Sequence, residues 1–141
     1  MTRPKLQPDP DAPEVFRLTV PGHPVPAARM TQAQVKMLSR GRTLTNGQIA
    51  RYPDWKNATG WLASAAGALP MGGRLQLTVD VFLKSRGSGD ADNYLKAAAD
   101  ALQGIAFCND NQIDSMTVRI HTKATCEGME IELRRLDSLA R

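Results

Sequence analysis

Four stretches of the chain alternate between apolar and polar residues, which is the pattern of strands that bury one face. The clearest runs from Leu75 to Lys84, where every second residue is a large aliphatic side chain. An earlier one runs from Val15 to Val20, and two shorter ones lie nearer the C-terminus. Their apolar positions are Met116, Val118 and Ile120 in one, and Met129, Ile131 and Leu133 in the other. The alternation therefore predicts four strands.

Two further stretches have apolar residues at the spacing of helices. In the first, Pro53 suits the first helical turn. The apolar positions then recur at Trp55, Ala58, Thr59, Leu62, Ala65, Ala66 and Leu69. Trp61 falls off that face, and we favour its packing inside over exposure at a subunit contact or against nucleic acid. The second helix spans about Asp92 to Gln103, with a polar arc that also contains Lys96 and Asp100 opposite an apolar side.

The order of these elements predicts an α+β fold, in which helices pack on a mixed β-sheet. A chain of 141 residues is long enough to bury a core as a single domain. Residues 1–14 contain four prolines and no apolar periodicity, so we expect a disordered N-terminal tail. The folded domain is then expected to span residues 15–141.

Composition excludes several classes of protein. No apolar run is long enough to cross a membrane, and the N-terminal residues lack the apolar segment of a secretory signal. Cys108 and Cys126 are too few for a disulfide framework and badly placed for zinc. No phosphate-binding loop or dinucleotide-binding motif is present. We therefore expect a cytoplasmic protein with no membrane partner and no small-molecule cofactor.

The charge is unevenly distributed along the chain. Residues 1–86 carry a net charge of +7, whereas residues 87–141 carry −3. Between Arg29 and Lys56 the basic side chains are opposed only by Asp54. This segment fits a mobile arm that contacts DNA phosphates, and the alternative is an ordinary surface loop. The candidate DNA-binding residues are Arg29, Lys36, Arg40, Arg42, Arg51, Lys84 and Arg86.

Three carboxylates and one lysine form the candidate catalytic site. Asp90 and Asp92 follow the Leu75–Lys84 strand, and Asp110 follows the second helix. Mg²⁺ and Mn²⁺ prefer such hard oxygen ligands, usually together with water and substrate phosphate. The three could hold an ion if the loop after the helix folds back. Lys96 could then offset charge that develops on a phosphate.

Each of these residues also has an ordinary structural explanation. Asp90 or Asp92 could cap the helix N-terminus, and from spacing alone this explanation is favoured. Lys96 could form surface pairs with carboxylates four residues away, and Asp110 could shape a turn. His23 and His121 lack partners at the spacing of a metal site or a catalytic triad, so both are expected to be structural.

The whole run resembles the RusA family of Holliday-junction resolvases, the crossover junction endodeoxyribonucleases. That family has the pattern D-x-D-N-x-x-K-x-x-x-D-A-L and then D-x-Q-[IV]. The matching residues are Asp90, Asp92, Asn93, Lys96, Asp100, Ala101 and Leu102, followed by Asp110, Gln112 and Ile113. The segment from Pro21 to Arg29 is similar to the opening of the family. Two departures are Asn109, where many members have a second aspartate, and the sparse basic cluster around Arg29.

The resemblance implies a homodimeric endonuclease that resolves four-way DNA junctions with Mg²⁺ or Mn²⁺ in recombination and repair. It implies that Asp90, Asp92 and Asp110 bind the metal and that Lys96 is catalytic. Asn93, Asp100 and Gln112 would orient these groups. The family resemblance also implies a place at the bacterial nucleoid or in a phage-infected cell. Two alternatives stay open: a non-catalytic protein that binds branched DNA, and a nuclease that prefers flaps or forks.

Overall fold

The computed structural model describes residues 6–27, 47–87 and 89–136. Its strands are β1 (Val15–Pro21), β2 (Leu75–Phe82), β3 (Ile113–His121) and β4 (Gly128–Arg135). Its helices are α1 (Gly47–Ala65) and α2 (Ala91–Leu102), and a single 3₁₀ turn covers Asp110–Gln112. The order along the chain is β1, α1, β2, α2, the 3₁₀ turn, β3 and β4.

The four strands form one mixed sheet in the order β1-β4-β2-β3. β4 runs antiparallel to both of its neighbours, β1 and β2. β2 and β3 are parallel, because α2 carries the chain back along the sheet before β3 begins. The predicted α+β fold with helices on a mixed sheet is therefore confirmed.

The core lies between the sheet and the two helices. The apolar row of β2, from Leu75 through Val81, is fully buried, as the alternation predicts. The predicted rows of β1 and β4 are also buried. α2 packs its small residues and Leu102 against this surface. The opposite face of the sheet carries polar side chains, among them Asp80, Arg119 and Glu132.

Helix α1 differs from its prediction in two respects. It begins at Gly47, so Pro53 lies inside the helix and not in its first turn. Its buried positions are Thr59, Gly60 and Ala63, with Trp55 partly buried against the core.

The predicted inner positions Ala58, Leu62, Ala65 and Ala66 are exposed, as is Trp61, whose exposed fraction is 77%. The expectation that Trp61 packs inside is therefore wrong. The reason is close helix packing: a Cβ atom on Gly60 would lie 3.0 Å from Ile105 Cδ1 and 3.4 Å from the Ala101 carbonyl oxygen. Small residues make this contact, so the spacing of large apolar residues does not reveal which face of α1 is buried.

Residues 6–14 lie beside the turn that precedes β2. The Asp9 N–H donates to the Pro70 carbonyl at 2.8 Å, and Ala12 packs against the core. Residues 1–5 lie outside the described part of the chain, and the disordered tail over 1–14 stays a prediction. Within the described residues, neither helix has the length and apolarity needed to span a bilayer.

Candidate active site

The first two aspartates of the site, Asp90 and Asp92, follow the C-terminal end of β2. β2 ends at Phe82, and after a short loop Asp90 occupies the N-cap position of α2 with extended backbone angles. Its side chain makes no capping hydrogen bond. Asp92 lies in the first helical turn, and both carboxylates are exposed. The capping explanation is therefore not borne out for the side chain of Asp90, which leaves two carboxylates at the positive end of a helix dipole.

Close contacts fix the loop just before Asp90. The Arg86 Nη1 group donates to the Gly89 carbonyl at 2.7 Å. A Cβ atom on Gly89 would lie 2.6 Å from the Tyr94 hydroxyl oxygen and 2.8 Å from its Cζ atom, so this position has no room for a side chain. Tyr94 is buried, and burial raises the pKa of its hydroxyl. The loop therefore presents Asp90 from a defined backbone position.

A pocket of about 210 Å³ opens beside this loop. Arg51 of α1 and Arg86 lie on its wall together with Tyr94. His23, also on the wall, contacts Glu127 through Nδ1 and Oε1 at 3.0 Å. Glu127 accepts the Lys84 backbone N–H as well, and this bond, followed by that of His23, lowers the pKa of the Glu127 carboxyl. The end of β2 that carries Asp90 and Asp92 thus has cationic side chains next to it.

Asp110 lies in a second, differently built region. It begins the 3₁₀ turn, which is closed by a capping box between Asn109 and Gln112. The Gln112 Oε1 atom accepts from the Cys108 and Asn109 N–H groups at 2.9 and 3.0 Å, and its Nε2 atom donates to the carbonyls of Met71 and Gly73, both at 3.0 Å. The Asp110 side chain is exposed. Gln112 therefore ties this turn to the segment before β2.

The two regions lie at opposite ends of β2. Asp110 precedes β3, whose first residue Ile113 is level with Leu75 at the start of β2. Asp90 follows the end of β2, and a strand of this length spans about 25 Å. Among the described residues, no group of three histidine, cysteine or acidic side chains is placed to hold a metal ion. The expectation that the loop after α2 returns Asp110 to Asp90 is therefore not met within one chain.

The other motif residues on α2 either bond to another segment of the fold or are exposed. Asp100 accepts the Tyr52 hydroxyl at 2.8 Å, and burial together with this bond raises the pKa of Tyr52. The Asn93 carbonyl accepts the Ala27 N–H at 2.9 Å. Lys96 is exposed, and it forms no ion pair with any described residue. The surface pairs that were the structural alternative for Lys96 are therefore not formed there.

The basic residues divide into two groups. Arg29, Lys36, Arg40 and Arg42 lie outside the described residues. Arg51, Lys84 and Arg86 are exposed near the Asp90 end of β2. Both histidines have acidic partners, because His121 contacts Asp80 at 2.8 Å and His23 contacts Glu127.

Sequence reasoning missed the roles of Tyr94, Tyr52 and Gly89. No pattern in the sequence marks either tyrosine: Tyr52 bonds to Asp100, which is 48 residues away, and Tyr94 packs on Gly89. Gly89 lies in the loop between β2 and Asp90, and its close approach to Tyr94 is a packing requirement. The glycine itself is a signal, since glycine is the usual residue where the backbone approaches another group closely.

Comparison with known families bears on this geometry. The model of the family "Endodeoxyribonuclease RusA" matches residues 21–134, which include both ends of β2 and every motif residue of the site. No curated protein matches the chain. Since the family match covers most of the sequence, the protein belongs to the RusA family of endodeoxyribonucleases, which are hydrolases that cut DNA.

Proposed function

We propose that the protein is a metal-dependent, structure-selective endonuclease that resolves four-way DNA junctions by paired phosphodiester hydrolysis in recombination and repair. The observation that carries this proposal is the pair of exposed carboxylates on Asp90 and Asp92 at the N-terminus of α2. Arg51 and Arg86 line the pocket next to the loop that precedes them. Family membership supplies the DNA-cutting activity. The basic side chains supply affinity for the phosphate backbone.

The donor set fits Mg²⁺ or Mn²⁺. Asp90 and Asp92 offer hard oxygen ligands less than one helical turn apart, and no described residue occupies them through a hydrogen bond. When bound, such an ion polarises a phosphate and lowers the pKa of a water ligand. Lys96, one turn further along α2, brings positive charge toward the reacting phosphate. Asp110 would complete the ligand set.

We further propose that each site is completed by two copies of the chain. Asp110 cannot reach Asp90 within one copy, because the length of β2 separates them. In a two-fold dimer, however, Asp110 of one copy can meet the partner's Asp90 and Asp92. A four-way junction has approximate two-fold symmetry, and its resolution needs two nicks related by that symmetry. The same two-fold symmetry would then account for both the homodimer and the shared site.

Subunit mixing tests this arrangement. Asp92→Asn and Asp110→Asn are each expected to bind four-way DNA and to lower the cleavage rate with Mg²⁺ by at least roughly 10²-fold. When the two variants are unfolded and refolded together, about half of the dimers should contain one of each. One site in such a dimer has all three carboxylates, so about a quarter of the parental nicking should return. The products should be single nicks.

The controls separate the parts of the proposal. Asp54→Asn changes an exposed aspartate on α1 and should leave the cleavage rate unchanged. EDTA should stop cleavage by the parent protein, and Mn²⁺ should restore it. If mixing returns no activity while both single variants are inactive, the shared site is wrong and the nuclease proposal stands. Parental nicking by Asp92→Asn alone would remove the nuclease mechanism, and tight junction binding without cleavage at any divalent ion would favour a non-catalytic DNA-binding protein.

A further inference from the structure

The first half of helix α1 is held weakly by its own packing. Its described side chains before Thr59 are those of residues 51–58, and none of them is fully buried. Trp55 is only partly buried against the core. Pro53 lies inside this stretch and has no backbone N–H, so the helix lacks one of its internal hydrogen bonds there. The turns around Pro53 therefore depend on other contacts with the fold for their position.

A hydrogen bond to α2 supplies such a contact. The Tyr52 hydroxyl donates to Asp100 Oδ2 at 2.8 Å, in a part-buried position. A bond to a carboxylate is stronger than one between two neutral groups. The two helices also touch at Gly60, eight residues further along α1, which is a distance of about 12 Å. The bond from Tyr52 therefore holds the part of α1 that the contact at Gly60 does not reach.

Arg51 directly precedes Tyr52 on this part of α1. Its exposed side chain lies on the wall of the pocket of about 210 Å³ beside the loop that leads to Asp90. Arg86 lies on the same wall, and no acidic residue is among the described residues that line the pocket. A guanidinium group binds phosphate through two parallel N–H bonds. The charge of this pocket is therefore complementary to a phosphate of the DNA backbone.

We propose that Asp100 is a positioning residue for DNA binding: through its bond to Tyr52 it holds Arg51 at this pocket, where the guanidinium contacts a phosphate of branched DNA. This inference rests on the proposed function, because it assigns a DNA contact to the same site. The family resemblance suggests that Asp100 orients the metal ligands. Asp100 lies eight residues beyond Asp92 along α2, however, which is about 12 Å, and its Oδ2 atom is taken by Tyr52.

Binding of four-way DNA in EDTA tests the proposal, because no cleavage occurs under that condition. Tyr52→Phe removes only the hydroxyl, and Asp100→Ala removes its acceptor. Each variant is expected to raise the dissociation constant about 3- to 10-fold. Asp100→Asn keeps an oxygen that can accept the Tyr52 hydroxyl, so its affinity should stay close to that of the parent.

A double variant shows whether Tyr52 acts through Arg51. Arg51→Gln alone should weaken binding about 10-fold. Adding Tyr52→Phe to it should weaken binding no further, because the contact that Tyr52 positions is already gone. Lys56→Gln is the matched control, since it removes an exposed cation of α1 on the other side of Pro53. In that background Tyr52→Phe should keep its full effect on the dissociation constant.

Cleavage kinetics separate this role from a role at the metal. Asp100→Ala should raise the DNA concentration that gives the half-maximal rate. Its maximal rate and the Mg²⁺ concentration that it needs should change by less than about 3-fold. Asp92→Asn should show the opposite behaviour, with DNA affinity kept and the rate lost. Circular dichroism establishes folding, and if Asp100→Ala does not fold, Tyr52→Phe decides the question.

Three results would overturn the inference. The first is an equal loss of affinity from Tyr52→Phe in the parent and in the Arg51→Gln background. The second is parental DNA affinity in both Tyr52→Phe and Asp100→Ala, and a raised Mg²⁺ requirement in Asp100→Ala would then place Asp100 at the metal. The third is a parent that does not bind four-way DNA. If the parent binds junctions but never cleaves them, the binding experiments still decide the role of Asp100, whereas the proposed nuclease fails.

Discussion

The two ends of β2 are built in different ways. At the start of the strand, Gln112 makes four hydrogen bonds that tie the turn of Asp110 to the segment before β2. At the other end, a short loop held by Arg86 and by the packing of Gly89 on Tyr94 presents Asp90. One end is fastened by polar side chains and the other by close steric contact. The proposed metal ligands Asp90, Asp92 and Asp110 make none of these contacts and are exposed. Other residues therefore hold the backbone in place, and the carboxylates face solvent.

The largest expected effect on stability is at the Asp110 end. Gln112→Ala removes four hydrogen bonds and leaves two carbonyl and two N–H groups without that partner, so we expect a loss of about 2–3 kcal/mol in the free energy of unfolding. Urea denaturation followed by circular dichroism measures it.

Asn111→Ala is the control for this substitution, because it changes the neighbouring exposed side chain and keeps the backbone of the turn. It should change the unfolding free energy by less than about 0.5 kcal/mol. Equal stability of the two variants would show that the turn is not held by Gln112.

A smaller effect is expected at the Asp90 end. Gly89→Ala places a methyl group where the Tyr94 ring already lies, and the resulting shift should cost about 1–2 kcal/mol. Because the shift moves the backbone before Asp90, the cleavage rate should fall as well. Thermal unfolding and a junction-cleavage assay measure the two effects.

The double variant Gly89→Ala with Tyr94→Leu identifies the cause. If the clash is responsible, the two changes together should cost less than the sum of each alone. Strict additivity would mean that Gly89 is needed for another reason.

The smallest expected effects on stability come from removing one ion pair at each end of β2. Asp80 accepts from Arg119 and His121, and these bonds, that of Arg119 first, lower the pKa of its carboxyl to about 2. This stabilisation is complete above the ordinary carboxyl pKa, near 3.9, and is lost as the pH falls toward 2. Arg119→Gln should therefore reduce stability at neutral pH and flatten its decline between pH 4 and 2.

Arg74→Gln removes the pair with Asp114 at the other end, where both side chains are about half exposed. Arg74 also lowers the pKa of the Asp114 carboxyl, but solvent screens an exposed pair. Acid titration of the unfolding free energy should show the smaller change for Arg74→Gln. A larger change there would reverse the ranking of the two ends.

The sequence predicted the strands and α2 well, because their apolar rows are regular and made of large residues. It predicted the wrong face of α1, because the buried positions of this helix include the small residues Gly60 and Ala63. It also allowed the loop after α2 to return Asp110 to Asp90 within one chain, and the topology explains why this does not happen. A strand parallel to β2 begins at the same end as β2, so a residue just before β3 lies far from one just after β2. Spacing along the chain does not reveal that the crossover is parallel.

Gly60 has one more consequence. Because the two helices touch at Gly60, how closely α1 lies to α2 depends on this one position. Arg51 lies nine residues before Gly60 on α1, at the wall of the pocket beside Asp90. A side chain on Gly60 would therefore push apart α2, which begins beside Asp90, and the helix that carries Arg51 to the wall of the neighbouring pocket.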